Sequence, residues 1–368
     1  MKKMGLCVRC KPEAMGSGIH RGRRTLLGLG ALMTLGSLAG CAVRAESAPQ
    51  AGGGGLDDHR RAAAEGVVRR LEGVEFLEAD WRDDARSRPV PVRLYLPELR
   101  AGRVPLVVFS HGLGGSRRGY SYLGIHLAQH GWASLHVQHV GSDRRVWTGS
   151  AWSLPARLHG AAQETEAIDR VMDLRFALDR MMEANGSGDW ALKVDPSRIV
   201  AAGHSYGANS ALLMAGAQVE RGERLVDLRD SRVAAAILLS APPFHGEKDM
   251  APILRPITVP TLHITATDDD IRIPGYASSV QDRVAVFEAT GSQIKVLAVF
   301  RGGSHGMFTD RRLTGGAELN PKVKRATQDL VLAFTDKVFG QTGVALAEWP
   351  QRHREITGTF IDRVQSSG

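Results

Sequence analysis

The chain has 368 residues, a formal net charge of +8, and 43% hydrophobic against 23% charged residues. Seven of its 47 Lys/Arg and one of its 39 Asp/Glu lie in the first forty positions, which leaves 40 basic and 38 acidic residues beyond them. A nearly neutral body of this size argues against nucleic-acid binding and against an acidic disordered chain, and it is large enough for one substantial α/β domain.

The N-terminus reads as an address. Arg21, Arg23 and Arg24 precede the apolar stretch Thr25 to Ala39, the layout of an export signal, and Arg23-Arg24-Thr25-Leu26-Leu27 has a partial twin-arginine character. Leu38-Ala39-Gly40-Cys41 has the form of a bacterial lipobox, which makes Cys41 a lipidation candidate and the expected first mature residue. The expected division is a signal peptide over 1–40, a flexible Gly-rich tether over 41–66 and a catalytic domain over 67–368, anchored to the cell envelope through lipid. A plain secretory signal is the alternative. Cys7 and Cys10 form a C-x-x-C with no partner pair and no strand before it, which points to neither zinc nor redox chemistry.

From Val74 onward, short β-rich runs alternate with helical ones. Strands are expected at Val74–Trp81, Val90–Leu96, Leu106–Ser110, Ala133–Gln138, Ile199–Ala202, Ala234–Leu239, Thr261–Thr265 and Ile294–Phe300. Helices are expected at Tyr120–His130, Gln163–Ala184, Ala208–Gln218, Ser279–Ala289 and Val323–Phe339. In the second helix Ile168, Val171, Met172, Phe176 and Met182 recur at helical spacing with charges interleaved. Continuous apolar strands between helices predict an α/β fold with a mostly parallel, eight-stranded, doubly wound sheet covered on both faces. Residues 140–160, with Trp147, Trp152 and Pro155, break the rhythm and read either as a small lid-like insert or as a connecting loop.

Two G-x-S-x-G strings occur: Gly203-His204-Ser205-Tyr206-Gly207 and Gly302-Gly303-Ser304-His305-Gly306. Ser205 follows a predicted strand and opens a predicted helix, the strand–turn–helix that exposes a nucleophile, whereas no helix follows Ser304. A serine needs a base and the base an orienting carboxylate, in the order Ser, Asp/Glu, His for this architecture. His305, beyond the last predicted strand, is the candidate base. His263 lies inside a strand and His353 in a polar tail. The acid is one of Asp268, Asp269 and Asp270, which follow the strand before. Val107 to Gly115 is a strand ending in a glycine-rich turn, which offers the backbone N–H of Leu113 as oxyanion donor beside that of Tyr206. That turn lacks the Lys-Ser/Thr ending of a phosphate loop. His136, His139 and Asp143 at their spacing read as structural residues, and neither metal nor cofactor is expected.

The block Pro105 to Ser116, the segments Tyr122 to Gly131 and Gln138 to Asp143, and Val194 to Ser205 together resemble the platelet-activating-factor acetylhydrolase and dienelactone-hydrolase-like branch of the α/β hydrolases. The resemblance runs from about Val90 to Phe308. It implies an α/β-hydrolase fold, points to Asp269 as the acid and places the oxyanion residue at Leu113. Two departures stand out: Ser205 replaces the cysteine nucleophile of dienelactone hydrolases, and Ala266 replaces the usual glycine of the acid strand.

The expected activity is that of a serine carboxylic-ester hydrolase acting through an acyl-enzyme on small-molecule, short-acyl esters. Trp147, Trp152, Phe244 and Phe308 are the candidates to narrow its acyl pocket. The implied alternatives are a phospholipid acetylhydrolase and a polyester-cleaving hydrolase. A non-catalytic binding protein on the same fold is the rival from another class.

Overall fold

The structure, a computed structural model, describes residues 69–98, 102–184, 192–222, 224–273, 276–311, 314, 316–340 and 342–364. The expected signal, lipidation site Cys41 and tether lie outside the described residues.

A ten-stranded sheet forms the body. Its strands are β1 (Arg69–Leu71), β2 (Val74–Asp83), β3 (Arg88–Leu96), β4 (Arg103–Ser110), β5 (Ala133–Val137), β6 (Lys193–His204), β7 (Val233–Leu239), β8 (Thr261–Asp268), β9 (Ile294–Ser304) and β10 (Thr357–Val364). Their spatial order is β1-β2-β3-β5-β4-β6-β7-β8-β9-β10. The six strands from β5 to β9 pair in parallel, and antiparallel strands flank them on both sides. All eight expected strands are present. The sheet has ten strands, not eight, because β1 and β10 join its edges. Both carry few buried side chains, so they lack the apolar runs that mark the interior strands.

Alternate residues of each central strand feed two cores. Leu106 and Val108 of β4 and Ile199 and Ala201 of β6 enter one, while Val107, Phe109, Val200 and Ala202 enter the other. The first is closed by helices α3 (Glu164–Glu183) and α4 (Tyr206–Ala215). The second is closed by α1 (Ser121–Gln129), α6 (Leu319–Val338) and α7 (Val344–Arg352). Helix α5 (Val280–Ala289), packed beside β8, adds Val286 to the first. Residues 144–161 form two 3-10 turns and helix α2 (Leu154–Ala161), so the expected insert has regular structure. No helix among the described residues is long and apolar enough to cross a membrane.

The buried face of α3 differs from the expected one. It runs through Glu166, Arg170, Val171, Asp173, Leu174, Ala177, Leu178 and Met181, so three charged side chains point inward. Ile168, Phe176 and Met182 are only partly buried against the same core.

The register brings the strand ends together. Ser110 aligns with Gly203 across β4/β6, His204 with Leu239 across β6/β7, and Asp268 with Ser304 across β8/β9. The turns that leave β4, β6, β8 and β9 therefore emerge at one edge of the sheet, outside the carboxyl ends of parallel strands, where ligands of open α/β sheets bind.

Candidate active site

Ser205 sits between β6 and α4 with φ of 54° and ψ of −125°, a left-handed backbone unusual for a side-chain-bearing residue. The flanking glycines make that turn possible. A Cβ on Gly207 would lie 2.0 Å from the Ser110 carbonyl oxygen, and one on Gly203 would lie 2.2 Å from that of Gly207. Ser304 instead lies at the end of β9 in extended backbone, ahead of a single 3-10 turn.

The structure joins Ser205, His305 and Asp269. His305 Nε2 is 2.9 Å from Ser205 Oγ, and its Nδ1 is 2.8 Å from Asp269 Oδ1. A carboxylate only accepts, so Nδ1–H donates to Asp269 and the bare Nε2 faces the serine hydroxyl. Asp269 is fully buried, whereas Asp268 and Asp270 are exposed and turned to Thr267 and Arg272.

Two further groups hold the carboxylate. Thr265 Oγ1 donates to Asp269 Oδ2 at 2.8 Å, and Arg283 Nε lies 3.2 Å from the same oxygen. Ser240, at a φ of 51°, places Oγ 2.8 Å from His305 Nδ1 and accepts from Arg283 Nε at 3.0 Å. Burial pushes the Asp269 carboxyl up, but hydrogen bonding to His305, the charges of His305 and Arg283 and a hydrogen bond from Ser240 outweigh it and hold it at about 2. Sequence reasoning did not find Ser240 and Arg283. Ser240 follows β7 with no motif around it, and Arg283 looks like one more surface charge on α5.

Among the described residues, no protein acceptor takes the N–H of Leu113 or of Tyr206. Leu113 follows β4 in the turn His111–Gly115, and Tyr206 is the first residue of α4, so both free donors stand at the edge that holds Ser205. Helix α4 adds its positive end there.

The pocket candidates divide. Trp147 caps the turn, donating from Nε1 to the Gly114 carbonyl at 3.1 Å. Trp152 is not at the site: it is 96% exposed, on a turn that points its ring to solvent. Phe308 is fully buried, packed 5.9 Å from the His204 ring and against Phe300, and Phe244 belongs to the core beside α4. Of the other histidines, His263 is buried against Phe287, His136 stacks on Phe109, and His139 bonds Asp173. His353 lies just past α7, bonded to Asp329. No group of three metal-ligating side chains occurs among the described residues.

The chain is similar to known acetylhydrolases and esterases. The model of the family "platelet-activating factor acetylhydrolase, isoform II" matches residues 90–149. A platelet-activating factor acetylhydrolase of Cavia porcellus is 26% identical over 178 residues, 39% of this chain and 39% of that protein, so the match spans well under half of the relative. A ferulic acid esterase from Streptomyces cinnamoneus superposes with a TM-score of 0.50 at 21% identity, covering 78% of this chain and 95% of that one. A Klebsiella pneumoniae subsp. pneumoniae protein assigned as a dienelactone hydrolase gives 0.50 at 15% identity over 71% and 98%. The fold is that of the α/β hydrolases, and the chain resembles their platelet-activating-factor acetylhydrolase and dienelactone-hydrolase-like branch.

Proposed function

We propose that this α/β-hydrolase-fold chain is a serine ester hydrolase with Ser205 as nucleophile, His305 as general base and Asp269 as the orienting acid. The observation that carries the reading is the unbroken hydrogen-bonded series Ser205 Oγ, His305 Nε2, His305 Nδ1, Asp269 Oδ1. Ser205 Oγ attacks the ester carbonyl carbon as its proton passes to His305 Nε2. The carbonyl oxygen takes up the negative charge and is held by the N–H groups of Leu113 and Tyr206. Collapse breaks the ester C–O bond, and His305 returns the proton to the leaving alkoxide. Water, giving a proton to the same imidazole, attacks the acyl carbon; the bond to Ser205 Oγ breaks, the acid leaves, and the imidazolium returns the proton to Oγ.

The substrate reading is a short-acyl ester. What supports it is the bulk at the oxyanion turn: Trp147 donates to the Gly114 carbonyl, and Leu113 packs with Val146, Leu154 and Leu158, so a long acyl chain would have to pass these side chains. The lipobox ending at Cys41 supports export as a lipid-anchored envelope protein, and Cys41→Ser should move the protein into the soluble fraction or block its processing.

The test is a fluorophosphonate probe with mass mapping of the adduct, alongside hydrolysis of nitrophenyl acetate and butyrate. Labelling of Ser205 with ester turnover is expected. Absence of both in folded protein overturns the reading.

A further inference from the structure

Arg170 of α3 is fully buried, yet its guanidinium pairs with no carboxylate among the described residues. The acids on the same helix are committed elsewhere: Glu166 to Arg88, and Asp173 to Arg86 and Arg88. Arg170 is solvated by neutral dipoles instead. Nε donates to Ser210 Oγ at 3.2 Å, Nη1 to Ser142 Oγ at 2.7 Å, and Nη2 to Ser110 Oγ at 3.0 Å and to the His111 carbonyl. The guanidinium plane also lies over the Tyr206 ring, 4.5 Å from its centroid. Glu166 reaches it only through Ser142, whose hydroxyl donates to Glu166 Oε1 at 2.7 Å, and the charges of Glu166 and Asp173 favour the cation from beyond contact distance. Enclosing a cation with no carboxylate in direct contact is expensive, and a buried methionine would fill the space at lower cost.

What Arg170 touches gives the reason. His111 opens the turn that carries the Leu113 donor, Tyr206 carries the other donor, and the Gly207 backbone rests on the Ser110 and His111 carbonyls. One rigid fork thus spans both sides of the oxyanion hole. Burial lowers the guanidinium to about 10, which leaves it charged at neutral pH.

Resting on the ester-hydrolase reading above, we infer that Arg170 is a positioning residue: a fixed buried cation that sets the Leu113 and Tyr206 N–H groups and favours the negative charge forming between them. The cation is in place before reaction, so it needs no reorganisation when the oxyanion appears, and the low dielectric around it leaves its field little screened.

The experiment uses the full chain with Arg170→Gln and Arg170→Lys, reading kcat and KM on nitrophenyl acetate and the inhibition constant of a trifluoromethyl ketone, which forms an oxyanion on the nucleophile. For Arg170→Gln, kcat should fall about a hundredfold with KM within about threefold, and ketone affinity should fall in proportion to kcat/KM. Arg170→Lys keeps the charge without the fork, and should recover about tenfold of each loss. The inference is overturned if folded Arg170→Gln keeps wild-type kcat and ketone affinity, loses kcat with ketone affinity unchanged, or matches Arg170→Lys. If Arg170→Gln does not fold, Arg170→Lys decides. A parallel fall in kcat and ketone affinity supports the inference, and wild-type values overturn it. A wild-type protein that neither hydrolyses the ester nor binds the ketone refutes the ester-hydrolase reading instead.

Discussion

His204 Nε2 lies 3.1 Å from the backbone carbonyl of His305, so the residue before the candidate nucleophile holds the loop of the candidate base. A carbonyl only accepts, which places the proton on Nε2 and leaves Nδ1 to accept from the Tyr120 hydroxyl at 2.8 Å. The Tyr120 oxygen in turn accepts from the Gly112 N–H at 3.3 Å. One neutral imidazole therefore links the oxyanion turn to His305. Tyr120→Phe removes two of these bonds. It is expected to cost about 1–3 kcal/mol in urea unfolding, since buried partners are left unsatisfied. It should also lower kcat severalfold at unchanged KM, as measured on nitrophenyl acetate.

The elbow predicts opposite responses in activity and stability. Ser205→Ala and Ser205→Gly should both lose about 10⁴-fold or more in kcat. Ser205→Gly should nevertheless be about 1 kcal/mol more stable than Ser205→Ala, because only glycine relieves the positive φ. Ser304→Ala should keep most activity. Thermal melts beside the rate assays check all three. A dead Ser304→Ala with an active Ser205→Ala would reverse the assignment.

Asp269→Asn should lose at least about 10³-fold in kcat, while Asp268→Asn and Asp270→Asn stay within about threefold, in keeping with their exposure. Asp269→Asn also leaves Arg283 buried beside a neutral amide. A destabilisation of about 3 kcal/mol is expected in the same variant, read by denaturant midpoint.

Acid stability follows from buried histidines. Burial lowers His111, His136, His139, His204 and His263 from the ordinary value near 6.5, His136 and His263 to about 3. The unfolded chain takes up these protons below about pH 6.5 and the native protein does not, so stability is flat above pH 7 and falls as pH drops. Each histidine contributes up to about 1.4 kcal/mol per pH unit until its native value is reached. Asp269, held at about 2, adds a loss between about pH 4 and 2. Urea unfolding at pH 7.5, 6 and 5 should show a steepening decline. Constant stability over that range would refute the assignment of these five as neutral.

The two tryptophans should behave differently. Trp147→Ala uncaps the turn at Gly114 and is expected to raise rates on octanoate and decanoate esters relative to acetate. Trp152→Ala leaves a solvent-facing position and should not alter the chain-length profile.

Chemical order in the sequence made much of the candidate site legible. The strand before Ser205 and the helix after it separated the two G-x-S-x-G strings, and the family resemblance pointed to Asp269 among three adjacent acids. Burial then distinguishes Asp269 physically, a difference that adjacent identical residues cannot display in one dimension. The parallel strands β4 to β9 were readable because they are buried on both faces over most of their length, whereas β2 alternates buried and polar positions. Edge strand β10 was not, since T-G-T-F-I-D-R-V buries too little to stand out, and Pro350 masks α7. Ser240, Arg283 and Arg170 escaped for a related reason. They are polar residues whose enclosure depends on neighbours far along the chain.

The paired groups of the site come from distant parts of the polypeptide: Ser205 and His305 are 100 positions apart, and His305 and Asp269 are 36 apart. Parallel strands with long crossovers close slowly, because each pairing forfeits loop entropy before it gains contacts. Helices α3 and α4 are local and can form early, but the imidazole reaches the serine only after β8 and β9 have docked in register. During refolding from urea, recovery of ester hydrolysis should therefore trail the far-ultraviolet signal. The lag would time the last docking step of the sheet.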